Sequence, residues 1–175
     1  MDLDNNYEIH LARMLILISS VSGKKQKEIK GITKLVKLDF LLRYPTVLER
    51  ALRKIMDSKD EILIRDYERN SVESKMVRFR YGPWDHRYYQ YLAILESKGL
   101  VTVKSNEKTV EISVTNKGLE VADNIGSLQE FRDFVSRSEI INSKFGKLSA
   151  THLKDMMYEL VPELHDMKFG EAINP

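Results

Sequence analysis

Residues 92–123 carry the pattern that most restricts how this 175-residue chain can fold. A helical stretch ends at Gly99, and two short strand-like runs follow it, "LVTVK" and "TVEISVT", on either side of the polar turn "SNEK". The next segment, "NKGLEVADNI", predicts another helix with Thr115 at its N-cap. Gly99 suits the end of the first helix because glycine readily adopts the left-handed backbone conformation. The predicted order is therefore helix, β-hairpin, helix.

Further helices are predicted nearer the N-terminus. Apolar residues at i, i+3, i+4 and i+7 spacing predict a helix over residues 7–21 that is buried on more than one side. The leucine-rich stretch "LVKLDFLL" predicts a second helix, which Pro45 must end or bend. Thr46 and Glu49 have the spacing of a capping box that would start the next helix.

This order of elements predicts a mainly α fold with a small β-hairpin, namely a winged helix-turn-helix with additional C-terminal helices. The helix that ends at Gly99 would be its recognition helix, and the turn around Asn106 its wing. We expect a winged-helix domain over residues 1–125 and a C-terminal helical extension over residues 126–175 that packs on this domain or on a partner. Fold alone does not fix function, because winged helices bind DNA, RNA and proteins alike.

The connecting segments are less regular than the helices. Residues 57–77 predict a polar connector with one short ordered piece around residues 62–67, and "MVRFRY" predicts a short strand. Ser127 and Glu130 have the spacing of a second capping box, which would open a helix in the C-terminal extension.

Composition excludes several classes of function. The chain has no cysteine, so disulfides, thiolate catalysis and cysteine-based metal sites are excluded. None of its four histidines has a second ligand at metal-site spacing, and no glycine-rich loop precedes a Lys-Ser/Thr pair. We therefore expect a protein that is not an enzyme and that needs neither a metal nor another cofactor. The longest apolar run, "MLILI", is too short to span a bilayer, and the acidic N-terminus lacks the order of a signal peptide, which favours the cytoplasm.

The charge is unevenly distributed along the chain. Residues 24–54 hold ten Lys or Arg against three Asp or Glu, although the net charge of the whole chain is only +2. Such a block favours a surface for phosphate or for an acidic partner, or it is a solvated helix face. The candidate DNA-binding residues are Lys24, Lys25, Lys27, Arg50, Arg53 and Gln90.

The stretch "VRFRYGPWDHR" contains the single tryptophan of the chain and alternating arginines. These residue types suit a protein interface, but core packing or capping is an equally good interpretation, with Asp85 as an N-cap. The candidate partner-binding residues are Arg78, Arg80, Trp84, Asp85 and Arg87. The outer face of the following helix carries little charge and ends in Glu96, so it is a mediocre surface for reading DNA.

Asp39 is a carboxylate within the apolar stretch "KLDFLL". A buried carboxylate needs a charged or hydrogen-bonding partner. We expect a structural role for it, in a partly buried bridge with Lys37, Arg43 or Arg80.

Two segments resemble a known family. "TKLVKLDFLLRYPTVLERAL" together with "SVESKMVRFRYGPWDHRYYQYLAILESKGLV" is similar to the small middle component of ABC-three-component systems, which are bacterial defence systems of the Lamassu type. "LDFLLRYP" and "RYGPWD" are the more specific strings, and the similarity covers about residues 30–125. A looser likeness joins the chain to the Panacea antitoxin domain.

The resemblance implies a non-catalytic accessory subunit that accompanies an SMC-like ATPase and a separate effector, commonly a nuclease. Such a subunit would hold or restrain the effector until foreign or abnormal DNA is sensed. A non-specific contact to DNA is a further expectation. Two alternatives stay open. One is a stand-alone, DNA-binding transcriptional regulator, and the other is an antitoxin-like protein that masks a toxin.

Overall fold

The computed structural model describes residues 7–72, 76–77, 87–106, 108–161 and 172–173. The chain is mainly helical, with a small three-stranded antiparallel sheet and a separate pair of two-residue strands. The helices are α1 Tyr7–Ser22, α2 Ile32–Arg43, α3 Pro45–Lys54, α4 Asp66–Val72, α5 Arg87–Ser97, α6 Asn116–Gly126, a 3-10 turn Gln129–Phe131, α7 Arg132–Phe145 and α8 Ala150–Leu160. The strands are β1 Ile29–Lys30, β2 Met76–Val77, β3 Val101–Ser105, β4 Val110–Val114 and β5 Ala172–Ile173.

α1 lies at the centre of the molecule. Residues 12–18 are all buried, because the helix packs against α5, α6, α7 and β4 together. This confirms the prediction of a first helix that is buried on more than one side. A helix surrounded in this way cannot show a narrow apolar stripe, and its apolar run "MLILI" fills the core.

The predicted β-hairpin is present and gains a third strand. β3 pairs with β4, and β4 pairs on its other edge with β1, in the order β1-β4-β3. Ile112 of β4 lies between Ile29 and Val103, and its side chain is fully buried. The sequence did not predict β1 because two residues are too short to show a periodic pattern.

The helix ends on both sides of the hairpin follow the predictions. Gly99 has a φ of +70°, the left-handed conformation expected after α5. The Thr115 hydroxyl accepts a hydrogen bond from the N–H of Gly118 at 2.9 Å and so caps the start of α6.

The two predicted capping boxes are wrong. α3 begins at Pro45 with Tyr44 at the N-cap, because proline is favoured at the first helical position and needs no acceptor for an N–H. Ser127 lies at the C-cap of α6, where its hydroxyl donates to the carbonyl of Asn124 at 2.7 Å. Both places therefore have the residue spacing of a capping box, but neither Thr46 nor Ser127 lies at the N-cap of a helix.

These two sites give a direct test of the capping assignment. We expect Thr115→Ala to lower the free energy of unfolding by about 1 kcal/mol, because the N–H of Gly118 loses its acceptor. Thr115→Ser should restore most of the loss. Ser127→Ala is the matched control and should change stability by less than about 0.5 kcal/mol. Urea unfolding of the three variants is the measurement, and a larger loss in the Ser127 variant than in the Thr115→Ala variant would contradict the assignment.

The helices of the C-terminal region pack on the N-terminal ones. α7 contacts α1 and α2, and α8 contacts α2 and α3, with Ile141, Phe145 and Leu153 fully buried. Two lysines of α2 join this contact: the ammonium of Lys34 donates to the carbonyl of Gly146 at 2.7 Å, and that of Lys37 to Ala150 at 2.9 Å. Residues 132–160 therefore share a hydrophobic core with residues 7–54.

The polar connector after α3 is held along α7 by ion pairs. Asp60 pairs with Lys144 at 2.8 Å and Arg65 with Asp133 at 2.7 Å. Buried Arg137 holds Glu68 with two hydrogen bonds, at 2.6 and 2.7 Å. The connector contains α4, which begins at Asp66, near the end of the ordered piece predicted around residues 62–67, and continues to Val72. Of the predicted strand "MVRFRY", only Met76–Val77 lies within the described residues.

Candidate functional site

α5, the predicted recognition helix, is fixed to α1 and α2 by a buried polar cluster. Asp39 of α2 is fully buried and accepts from Nε and Nη2 of Arg13 of α1, at 2.8 Å each. The Tyr88 hydroxyl of α5 donates to the same carboxylate at 2.5 Å. The cluster therefore joins one residue from each of three helices, and Asp39 has the structural role that its sequence context predicts.

Asp39 pairs with a residue that was not among its predicted partners. The carboxylate lies against Arg13 and Tyr88 instead of Lys37, whose ammonium donates to the carbonyl of Ala150. Arg43 acts on the carboxylate only as a more distant charge, and Arg80 lies outside the described residues. Arg13 lies 26 residues from Asp39 along the chain, on another helix, and the packing of α1 against α2 brings the two charges together.

The charges of the cluster stabilise one another. Burial by itself raises the pKa of Asp39, but the charge of Arg13 and the hydrogen bonds from Arg13 and Tyr88 outweigh burial and hold that pKa below its usual value. Burial and the negative charge of Asp39 raise the pKa of Tyr88 well above that of free tyrosine. At neutral pH the cluster therefore consists of an ionised carboxylate, a charged guanidinium and a neutral phenol donor.

His10 completes the cluster on the side of α1. Its Nδ1 lies 3.0 Å from Nη1 of Arg13, and because a guanidinium can only donate, Nδ1 is the acceptor. The imidazole packs near Tyr91, with ring centroids 5.8 Å apart, and Tyr91 also meets Tyr7 at 5.2 Å. His10, Tyr88 and Tyr91 are all buried, and both tyrosines of α5 belong to the hydrophobic core.

The outer face of α5 is exposed and carries little charge. Its exposed residues are Tyr89, Gln90, Ala93, Glu96 and Ser97. Tyr89 is 56% exposed and is the largest apolar side chain on this face. The Glu96 carboxylate accepts from the N–H of Val103 at 3.0 Å, so its side chain is tied to the hairpin. The candidate Gln90 is exposed, whereas Arg87 is half-buried.

The chain matches no protein-family model, no curated protein and no solved structure. Within the described ranges, no three histidine, aspartate or glutamate residues gather in a group that could hold a metal ion. Among the same residues, no helix has both the length and the apolar character that crossing a membrane requires.

The predicted DNA-binding lysines lie in the turn between α1 and β1. Lys24, Lys25 and Lys27 are exposed there. Gln26, between them, has a φ of +50°, and its side-chain amide donates to Asn116 of α6 at 2.7 Å. The turn therefore lies against the start of α6.

Two lysines that the sequence analysis did not single out lie at the same place. The ammonium of Lys117, in the first turn of α6, donates to the carbonyl of Lys98 at 2.9 Å. Lys98 directly follows α5, and both side chains are exposed. The structure thus brings together three segments that are far apart in the sequence. We call this group the lysine surface, and its members are Lys24, Lys25, Lys27, Lys98 and Lys117.

The other candidate cations belong to a different part of the molecule. Arg50 and Arg53 are exposed on α3, which packs against α2, α4 and α8, and Arg53 pairs with Glu49 at 3.2 Å. Burial lowers the pKa of Lys34 and Lys37, whose ammonium groups donate to backbone carbonyls. The basic block of residues 24–54 is therefore not one surface. The remaining candidates, Arg78, Arg80, Trp84 and Asp85, lie outside the described residues.

Proposed function

We propose that the protein is a non-catalytic winged-helix adaptor that binds a protein partner through the outer face of α5. The topology supports this fold. α1, α2 and α5 pack together beside an antiparallel sheet in which β1, located between α1 and α2, pairs with the second strand of the hairpin. This order and pairing support a winged helix-turn-helix in which α3, α4 and the connector are inserted before the recognition helix.

The exposed face of α5 is the observation that carries the proposal. A base-reading helix presents arginine, lysine, asparagine or glutamine to the groove and needs cations near the phosphates. α5 contains one cation, Arg87, which is half-buried, while Tyr89 is exposed and Glu96 is held by the hairpin. Tyrosine is enriched at the centre of protein interfaces, and charge is depleted there. The face therefore suits a protein partner better than a DNA groove.

The partners that we propose are those implied by the resemblance to ABC-three-component systems. We propose that the chain accompanies an SMC-like ATPase and an effector in the cytoplasm, and that it restrains the effector until foreign DNA is sensed. The buried cluster of Arg13, Asp39 and Tyr88 supports an adaptor role, because it fixes α5 to the core and presents its outer face in one orientation.

Affinity purification tests the identity of the partner. The protein is tagged at its own locus, and the co-eluting proteins are identified by mass spectrometry. We expect a large ATPase and an effector to elute together with the tagged chain. Elution alone, or with DNA only, would favour a DNA-binding regulator, and elution with a single small toxic protein would favour an antitoxin. Either result would overturn the proposed complex.

Tyr89 provides the test of the surface itself. We expect Tyr89→Ala to weaken binding of the co-purified partner by about 30-fold, which corresponds to about 2 kcal/mol for an interfacial aromatic anchor. Tyr67→Ala is the matched control, because Tyr67 is 57% exposed, against 56% for Tyr89, but lies on α4. The measurement is the dissociation constant of purified complexes, with thermal unfolding as the check on folding. If Tyr89→Ala weakened binding no more than Tyr67→Ala, the outer face of α5 would not be the interface.

A further inference from the structure

We infer that the lysine surface binds the phosphate backbone of double-stranded DNA without reading its sequence. The five lysines come from the α1–β1 turn, the end of α5 and the first turn of α6, and two side-chain hydrogen bonds join these segments. The hydrogen bond between Gln26 and Asn116 fixes the turn, and the one between Lys117 and Lys98 fixes the end of α5. The surface is therefore built by the tertiary structure and differs from the sequence-predicted set.

The chemistry of the surface suits phosphate. A lysine ammonium is a compact charge with three donors, so Lys117 retains two donors after its bond to the carbonyl of Lys98. The start of α6 adds the positive end of a helix dipole at the same place. The carboxylates close by in the sequence are Glu28 of the turn, Glu96 of α5 and Glu120 of α6, all exposed. Five lysines against these three carboxylates leave the surface positive.

The residue types of the lysine surface favour DNA over an acidic protein as the partner. Protein interfaces are depleted in lysine and enriched in aromatic residues and arginine, and the lysine surface contains neither of those types. Non-specific DNA binding, by contrast, is supplied by lysine and arginine contacts to phosphates, and its strength depends on salt. We therefore assign the surface to DNA and treat an acidic protein as the competing outcome.

The DNA contact is separate from the proposed protein contact. Gln90 precedes Lys98 by eight residues, which corresponds to about 12 Å along a helix axis. A duplex on the lysine surface would therefore lie at the C-terminal end of α5, while Tyr89 lies near the opposite end. The two contacts can be tested independently, because the DNA measurement uses the purified chain alone.

The experiment compares two charge-matched triple variants of the full chain. The first is Lys24→Ser/Lys25→Ser/Lys98→Ser, and the second is Arg50→Ser/Arg53→Ser/Lys54→Ser on α3. All six side chains are exposed, and each variant loses three positive charges. Lys117 is left in place because its ammonium also bonds to the end of α5. Fluorescence anisotropy with a labelled 24-base-pair duplex of arbitrary sequence, titrated at several salt concentrations, gives the affinity and its salt dependence.

We expect the first variant to bind the duplex at least about tenfold more weakly at 50 mM salt. The slope of log affinity against log salt should become shallower by about 2.7, because each of the three lost phosphate contacts contributes about 0.9. The α3 variant should stay within about twofold of the wild type. Equal losses in both variants would overturn the inference, because attraction would then follow total charge. No binding by the wild type would also overturn it, as would a preference for polyglutamate over DNA, which would indicate an acidic protein partner. Thermal unfolding checks that each variant is folded.

Discussion

Asp39→Asn is expected to lower the free energy of unfolding by about 3–5 kcal/mol. The substitution keeps the size of the side chain but leaves the buried guanidinium of Arg13 without a counter-ion. It also weakens the bond from the Tyr88 hydroxyl, which donates to the same carboxylate. Urea unfolding followed by circular dichroism is the measurement. A loss below about 1 kcal/mol would contradict the assignment of this pair as the link between α1, α2 and α5.

A double replacement separates the charge from the packing. Arg13→Met/Asp39→Leu removes both charges and fills most of the same volume, so it should be more stable than Asp39→Asn by several kcal/mol and close to the wild type. Tyr88→Phe can be added to this variant to remove the hydroxyl that then lacks its acceptor. If the double variant is as unstable as Asp39→Asn, the loss arises from packing and the ion pair is not its cause.

The same pair predicts how stability depends on pH. The pKa of Asp39 in the folded chain lies below its usual value of 3.8, so the unfolded chain binds more protons as the solution becomes acidic. The contribution of Asp39 is therefore fully present above about pH 4 and is lost as the pH falls through the folded value. The Arg13→Met/Asp39→Leu variant should lack this part of the acid sensitivity, which unfolding measurements between pH 2 and 6 would detect.

Gly118→Ala is expected to destabilise the protein by about 3 kcal/mol. A Cβ atom at this position would lie 1.9 Å from the carbonyl oxygen of Leu100 and 2.8 Å from Cγ2 of Val114. The carbonyl belongs to the backbone and already accepts from the N–H of Thr115 at 3.0 Å, so it cannot move without loss of the contact between α6 and the hairpin. Overpacking of this kind costs about 1–3 kcal/mol and occasionally more.

Gly99→Ala is the matched control for the steric argument. Gly99 lies at the same corner with a φ of +70°, and a Cβ atom there would meet nothing within 4 Å. Its replacement should cost only the strain of the left-handed backbone, about 1 kcal/mol. Urea unfolding of the two variants should therefore separate close packing from backbone conformation. If Gly99→Ala lowered the free energy of unfolding more than Gly118→Ala, the close approach of α6 to the carbonyl of Leu100 would not be a tight packing constraint.

The elements that the sequence predicted well are those with local signals. The apolar run of α1, the glycine after α5 and the Thr115 cap each depend on residues within a few positions of one another, and all are present in the structure. The capping boxes failed because a spacing of three residues does not by itself say where a helix starts. Pro45 decided the start of α3, and α6 continued to Gly126, just before Ser127.

The partners of the charged residues were not predictable in the same way. Arg13 and Asp39 each stand inside an apolar helical stretch, and two opposite charges in such contexts are a signal that a buried pair exists. The partners predicted for Asp39 were Lys37, Arg43 and Arg80, and Arg13 was not among them. The lysine surface had no comparable signal, because its turn and α6 are separated by 90 residues at the contact between Gln26 and Asn116.

The sequence by itself determined the mainly helical character of the chain, the hairpin, and the residues that end α5 and start α6, because these depend on local backbone preference and hydrophobic spacing. Only the tertiary structure decided that β1 completes the sheet, that Asp39 pairs with Arg13, and that Lys98 and Lys117 lie beside the α1–β1 turn. The physical reason is that pairing of strands and of buried charges depends on which segments the packed core brings within a few ångströms, and the order of residues along the chain does not contain that distance.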